Sequence, residues 1–272
     1  MAMRKAVTSI PEYAEWVEQV FVQSTDRRGY YEAPWFRGAG NARFKLLPGL
    51  YRSPEGETKF ADDELRSEFS RKALPLVAGR TPRDDWEWYF LMQHYRAPTR
   101  LLDWTDAALV ALYFALTAWR PPNSSRESPS KPAVWALNPF ALNRKARFFG
   151  PVNTDYRGLK KYLPRPYSHN RPPQYPIALD PNFVAQRMLV QHSHFTIHGK
   201  DRRALDEMRD ELSLQKGLFK VTIDADQDGI EYLQQQLAVN GITETTIFPD
   251  LEGLARELRL EYRLDVNRPN MT

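Results

Sequence analysis

The chain has 272 residues, with 38 Lys and Arg against 34 Asp and Glu for a net charge of +4, and 42% hydrophobic and 12% aromatic residues. That is enough for one large domain or two small ones with an ample core, and the mild basic excess is no nucleic-acid signature by itself. Cysteine is absent, which excludes disulfides, thiolate catalysis and Cys-ligated metal centres.

The opening Met1-Ala2-Met3-Arg4-Lys5 lacks the apolar core of a signal peptide. The longest apolar run, Ala107 to Trp119, is too short to span a bilayer. A cytoplasmic protein without a membrane partner is expected. Residues 10–23 read as an amphipathic helix, with Pro11 in the first turn and Tyr13, Trp16, Val17 and Val20 along one stripe. Trp35-Phe36-Arg37-Gly38 reads as a short strand and residues 57–75 as a second helix. A third helix runs from about Trp86 to Tyr95, capped by Asp84 or Asp85 and closed by Ala97-Pro98, because a residue before proline avoids the helical region. Thr99 to Thr105 reads as a strand, followed by an apolar helix capped by Asp106. Residues 121–131 form an exposed loop and Ala133 to Leu137 a buried strand. The Pro-rich region 150–182 has no period and reads as part of a mobile insertion at about 139–182. A helix near Phe183 to Val190 leads to a strand over His194 to His198. Strand Leu218 to Ile223, helix Asp228 to Val239, strand Thr245 to Phe248 and a helix capped by Asp250 follow.

Helices and strands alternate too loosely for a doubly wound fold, so the class is α+β: a single domain with a central mixed sheet flanked by helices. Its parts are an N-terminal helical element (1–28), the main domain (29–262) and a tail (263–272).

The densest chemistry lies in Gln93-His94-Tyr95-Arg96-Ala97-Pro98-Thr99-Arg100-Leu101-Leu102-Asp103-Trp104-Thr105. A plain core cannot hold that mixture unpaired, so the run reads as the wall of a site. Leu101, Asp103 and Thr105 share one strand face and Trp104 lies on the other. Asp103 could orient a sugar hydroxyl or pair with Arg100, and a buried network tying strand to helices is an equal alternative. Arg37 could grip a phosphate or carboxylate bidentately, with Gly38 allowing a ligand near the backbone. The alternative is a structural Arg–carboxylate pair.

His192, His194 and His198 alternate along one strand, but no carboxylate lies at a telling spacing, and no metal is expected. Gln191 before that strand and Glu244 at the start of the late strand could each supply a polar group. Arg144, Lys145, Arg147, Arg157, Lys160, Lys161 and Arg165 interleave with Phe148, Phe149, Tyr156, Tyr162 and Tyr167. That mixture suits phosphates and stacked bases, or is simply a solvated loop. No Gly-rich phosphate loop, dinucleotide fingerprint, Gly-x-Ser-x-Gly or His-Glu-x-x-His is present.

Trp35-Phe36-Arg37-Gly38, the 93–105 run with Ala111-Leu112-Tyr113-Phe114-Ala115, the Arg187…Gln191…Phe195 spacing and Ile247-Phe248-Pro249-Asp250-Leu251 together resemble the FRG domain over roughly residues 30–260. That bacterial and phage domain is named for its Phe-Arg-Gly signature, and the resemblance names no reaction. A weaker resemblance is to the ADP-ribosyltransferases. Their Arg-Gly is similar to Arg37-Gly38. Their Ser-Thr-Ser strand and the helix after it look like Asp103-Trp104-Thr105 followed by Val110-Ala111-Leu112-Tyr113-Phe114, with a hydroxyl kept only at Thr105. Their catalytic Glu falls at Gln191 or at Glu244.

The resemblance implies an ADP-ribosyltransferase-like protein using NAD, in a toxin or antiphage setting, with a protein or nucleic-acid acceptor. Arg37, Asp103, Thr105 and Gln191 or Glu244 would form its catalytic set. Arg37, Gly38, His94, Tyr95, Arg100 and Trp104 would bind the dinucleotide, with Tyr95 or Trp104 stacking on nicotinamide. Two other readings stay open: a non-catalytic nucleotide- or nucleic-acid-binding module, and a nuclease or other hydrolase using His94 and Asp103.

Overall fold

The computed structural model describes residues 3–24, 32–52, 61–77, 81–121, 130–164, 173–182, 186–262 and 264. The elements in chain order are β1 (Ala6–Val7), α1 (Ile10–Ser24), β2 (Trp35–Ala39), α2 (Ala61–Ala73), α3 (Asp85–His94), β3 (Leu101–Thr105), α4 (Ala108–Ala118), β4 (Ala133–Leu137), α5 (Pro139–Lys145), β5 (Val152–Asn153), β6 (Ile177–Asp180), α6 (Gln186–Val190), β7 (Ser193–Ile197), β8 (Leu218–Ile223), α7 (Gln227–Val239), α8 (Glu244–Ile247) and α9 (Leu251–Glu261). The strands form one sheet of eight in the order β1-β8-β4-β2-β3-β7-β6-β5. Its outermost pairs are parallel and the pairs between them antiparallel. The mixed sheet with flanking helices is the α+β architecture expected. No described helix is long and apolar enough to cross a membrane.

Alternation sorts the side chains onto two faces. On one face Phe36, Val134 and Val221 pack against α1, α4 and α7. Further along that face Leu101, Phe195 and Leu179 pack against Trp86 and Phe90 of α3. The other face carries Trp35, Leu102, Trp104 and Leu137 against Met208 and Leu214. Helix α4 lies so close to β2 that a Cβ on Gly38 would come within 2.1 Å of the Ala111 carbonyl oxygen. The glycine of the Arg-Gly pair therefore admits a helix rather than a ligand, which corrects the reading of Gly38 as a ligand-approach residue.

Two other expectations change. Residues 245–248 are not a strand: Thr243 caps the short helix α8, accepting from Thr246 N in a reciprocal capping box, and that local bonding overrides the β-branched composition. The 139–182 stretch is woven into the sheet through β5 and β6. The buried Asn143 amide holds β6 in place, donating to the Ala178 carbonyl at 2.9 Å and accepting from Ala178 N at 2.7 Å. A side-chain clamp of that kind leaves no periodicity to read. Within this stretch Arg165 and Tyr167 lie outside the described residues, as do most of the 121–131 loop and of the 263–272 tail.

Candidate functional site

Between the two core clusters of the first face lies a cleft of about 510 Å³. Helix α3 forms one wall and α4 the other, with β3 and the start of β7 as its floor. Phe36, Phe90, Phe114 and Phe248 supply apolar surface, and Arg37, Arg52, Arg96 and Arg187 bring four guanidinium groups to it. Asp103 is the one carboxylate in its lining among the described residues.

Each group has a local cause. Strands β2 and β3 pair only at Phe36↔Thr105 among the described residues, after which the two strands part. Arg37 bridges the gap. Its Nη1 donates to the main-chain carbonyl of Asp103 at 2.6 Å and lies 3.5 Å from the Asp103 carboxylate. Burial pulls the Arg37 pKa down and Asp103 opposes that pull, so the cation is held at a cost that an anionic ligand would offset. Asp103 leaves more than half of its side chain exposed, at 56%. Its Oδ2 accepts from Gln93 Nε2 at 2.8 Å, while the Gln93 oxygen accepts from the hydroxyl of buried Thr99. The second bond fixes the Gln93 amide so that its nitrogen faces Asp103.

Helix α3 ends because Arg96 takes the left-handed conformation, with φ of 60°, and Ala97 N returns to the Met92 carbonyl. An arginine there is uncommon and mildly strained. The turn sends the chain back into β3 and leaves Arg96 exposed at the cleft. Arg187 stacks on Phe248 at 4.3 Å, Arg256 covers the same ring at 4.5 Å, and the buried Nε of Arg187 lacks a hydrogen-bond partner.

Of the residues singled out from sequence, Arg37, Gly38, His94, Asp103, Trp104, Thr105 and Gln191 line this cleft. Thr105 Oγ1 accepts from Ala107 N at 3.0 Å, and Gln191 Nε2 donates to the Ile247 carbonyl at 3.1 Å. Burial, reinforced by Arg187, lowers the His94 pKa below its ordinary 6.5, and no hydrogen bond joins His94 to Asp103 among the described residues.

Four assignments need correction. Glu244 lies outside the cleft, its side chain 12% exposed and paired with Arg256 at 3.0 Å, because it belongs to a helix and not to a strand floor. Arg100 is buried away from the cleft, with Nε 2.5 Å from Asp62 and Nη1 donating to the His198 carbonyl at 2.7 Å. Tyr95 is outside the lining and 68% exposed, since α3 ends before it. The Trp104 indole packs into the opposite face and donates to Thr196 Oγ1 at 3.0 Å, so no ligand ring can stack on it.

The three histidines do not form one cluster. His192 and His194 both meet Asp106, at 2.8 and 3.5 Å, whereas His198 is fully buried elsewhere. Among the described residues no group of three or more His, Asp or Glu is arranged to hold a metal ion.

The sequence reading missed the cleft roles of Arg52, Gln93, Arg96, Phe114 and Phe248. All but Arg52 sit inside the motif runs, so their place in those runs was the available signal. Nothing in a one-dimensional pattern shows which members turn inward.

Residues 32–124 match the model of the FRG domain family. The chain therefore contains an FRG domain, and it holds Arg37, the 93–105 run and α4, while Gln191, Arg187 and Phe248 reach the cleft from beyond it. No curated protein and no solved structure matches the chain.

Proposed function

We propose that the cleft binds an NAD-type dinucleotide and that the protein is an ADP-ribosyltransferase-like enzyme with Asp103 as its acidic group. The observation that carries this reading is the meeting of four guanidinium groups and one accessible carboxylate in a single apolar-walled cleft. Its volume falls in the range of ligand sites, roughly 300–1,000 Å³.

Arg37 and Arg187 would take the phosphates, because both present donor groups that the protein does not saturate. Thr105 keeps a hydroxyl at the floor, where a ribose hydroxyl would sit, and the phenylalanines give the nicotinamide an apolar wall. When the bond between ribose carbon and nicotinamide nitrogen breaks, the electron pair leaves with nicotinamide. The positive charge developing on the ribose is stabilised by a nearby carboxylate, and water or an acceptor nucleophile then bonds to that carbon. Asp103 suits that role because its carboxylate is exposed and oriented by Gln93. Gln191 carries no charge and Glu244 is committed to Arg256.

Purified protein incubated with NAD should release nicotinamide. Asp103→Asn should lower that rate by about a hundredfold or more, with NAD affinity changed little, the mark of an interaction made mainly in the transition state. A parental rate in a folded Asp103→Asn protein would remove Asp103 from this role. A specific observation favours the second reading, a non-catalytic nucleotide-binding module: the Asp103 carboxylate in the cleft is already engaged by Arg37 and Gln93. Tight NAD binding without nicotinamide release, with water or any acceptor, would establish it.

A further inference from the structure

We infer that the opposite face of the sheet carries a second site, which stacks a base of single-stranded nucleic acid on Phe149 and Phe148 beside the Asp180 carboxylate. This site goes beyond the dinucleotide cleft and shares no lining residue with it. It is an open pocket of about 630 Å³ at the β6–β7 end of the sheet.

Its aromatic character is concentrated rather than scattered. Phe149 is 90% exposed, and Phe148 meets Tyr156, itself 55% exposed, edge-on at 5.9 Å. Phe140 lies over Gly150, so closely that a Cβ there would come within 2.7 Å of the ring. Single exposed apolar residues are ordinary, but Phe149 shares one concavity with the half-buried Phe140 and Phe148, and aromatic rings gathered in this way mark a binding surface.

The polar side of the pocket is built around His194. Its ring stacks on Trp35 with centroids 4.4 Å apart, and Nδ1 lies 2.8 Å from Asp180 Oδ1. Burial pulls the imidazole down, but its bonds to Asp106 and Asp180 outweigh that pull and hold its pKa above the ordinary 6.5. The imidazole thus moderates the charge of the two acids, and Asp180 Oδ2 has no partner among the described residues. A carboxylate oxygen in that state accepts from the amino or imino edge of a base.

Phosphates find cations on the same stretch. Arg147 adjoins Phe148 and Arg157 adjoins Tyr156; both are exposed and neither forms an ion pair among the described residues. Arg144, by contrast, is engaged by Glu32 at 2.8 Å. Rings for bases, free guanidinium groups for phosphates and an acceptor for a base edge together select single-stranded nucleic acid over a duplex, whose bases are already stacked.

The test is fluorescence anisotropy with a labelled 12-nucleotide single strand of mixed sequence, compared with the same sequence as a duplex. The single strand should bind at 50 mM salt, more weakly at 200 mM, and better than the duplex. Phe149→Ala should weaken it about tenfold. Combined Arg147→Glu and Arg157→Glu should weaken it and flatten the salt dependence, and excess NAD should leave it bound. Phe149 is almost wholly exposed, so its replacement leaves the fold intact. Absence of binding at 50 mM salt, parental affinity in both variants, or displacement by NAD would each overturn the proposal. Binding to vesicles containing phosphatidylserine, with none to the oligonucleotide, would overturn it in favour of a membrane surface.

Discussion

Arg37 lies on β2 and Arg100 inside the 93–105 run, one residue before the neighbouring strand β3, yet their surroundings differ in what is left unsatisfied. Arg100 is 5% exposed, and its donors go to the Asp62 carboxylate and to the carbonyls of His198 and Tyr162. Tyr89 closes the hub, donating to Asp62 at 2.9 Å while accepting from Arg100 N at 2.7 Å. The Arg100 guanidinium, the Asp62 carboxylate and the Tyr89 hydroxyl all find partners within the chain. Arg37, with 21% of its side chain exposed, has one carbonyl and a carboxylate at 3.5 Å, and Arg187 beside it keeps an unpartnered Nε. A saturated buried cation is scaffold, because removing it strands its partners. A cation held at a cleft with donors to spare leaves room for an anion that is not part of the protein.

The largest expected effect breaks the scaffold side of this comparison. Arg100→Ala removes a buried cation, leaves the half-buried Asp62 without its counter-charge and frees two carbonyls, so it should cost about 3–5 kcal/mol of folding stability. The midpoint of urea unfolding reads this directly. Arg37→Ala should move that midpoint much less, since its carbonyl partner lies at the open cleft. Equal losses in the two variants would erase the distinction between hub and site.

The next effect sharpens the ligand side. By isothermal titration, Arg37→Ala should weaken NAD binding by about 1.5–3 kcal/mol, the worth of a charge-assisted contact. Arg37→Lys should recover only part of it, because an ammonium cannot reproduce the planar fork. Unchanged affinity in the folded alanine variant would place the phosphates elsewhere.

What could be read in one dimension follows the same division. The helices over 10–23 and 86–95, the strands over 99–105 and 133–137 and the α+β class were legible because hydrophobic period and caps act locally. Asp84, Asp226 and Asp250 all cap their helices through the backbone N–H three residues on. Gathering Arg37 with Asp103 was within reach because both sit in dense motif runs beside apolar strands. The partner of Arg100 was not, since Asp62 lies 38 residues away in a helix with no chemical signature. The role of Gly38 was misread because a glycine against a helix and a glycine against a ligand look alike in sequence. Glu244 failed for a different reason: four residues of capping geometry outweighed a strand-like composition.

The smallest expected effect contrasts two histidines that come two strand registers apart. His198 is fully buried against the edge of Tyr51 and beside Arg100, and burial pushes its pKa down to about 3. The unfolded chain takes up a proton near pH 6.5 that the folded chain refuses, so this group lowers stability as pH falls below 6.5. The slope approaches about 1.4 kcal/mol per pH unit, and it continues until the folded pKa is reached. His194 has the opposite sign. Its folded pKa is raised, so its contribution is fully present below 6.5 and is lost as pH rises through the folded value. Urea unfolding between pH 5.5 and 8 separates the two. The stability difference between parent and His198→Gln should grow with rising pH, as the parent escapes its protonation penalty. The difference between parent and His194→Gln should shrink over the same range, as the imidazolium held by Asp106 and Asp180 loses its proton. Parallel pH curves for parent and both variants would show that neither ring is held in the protonation state its surroundings imply.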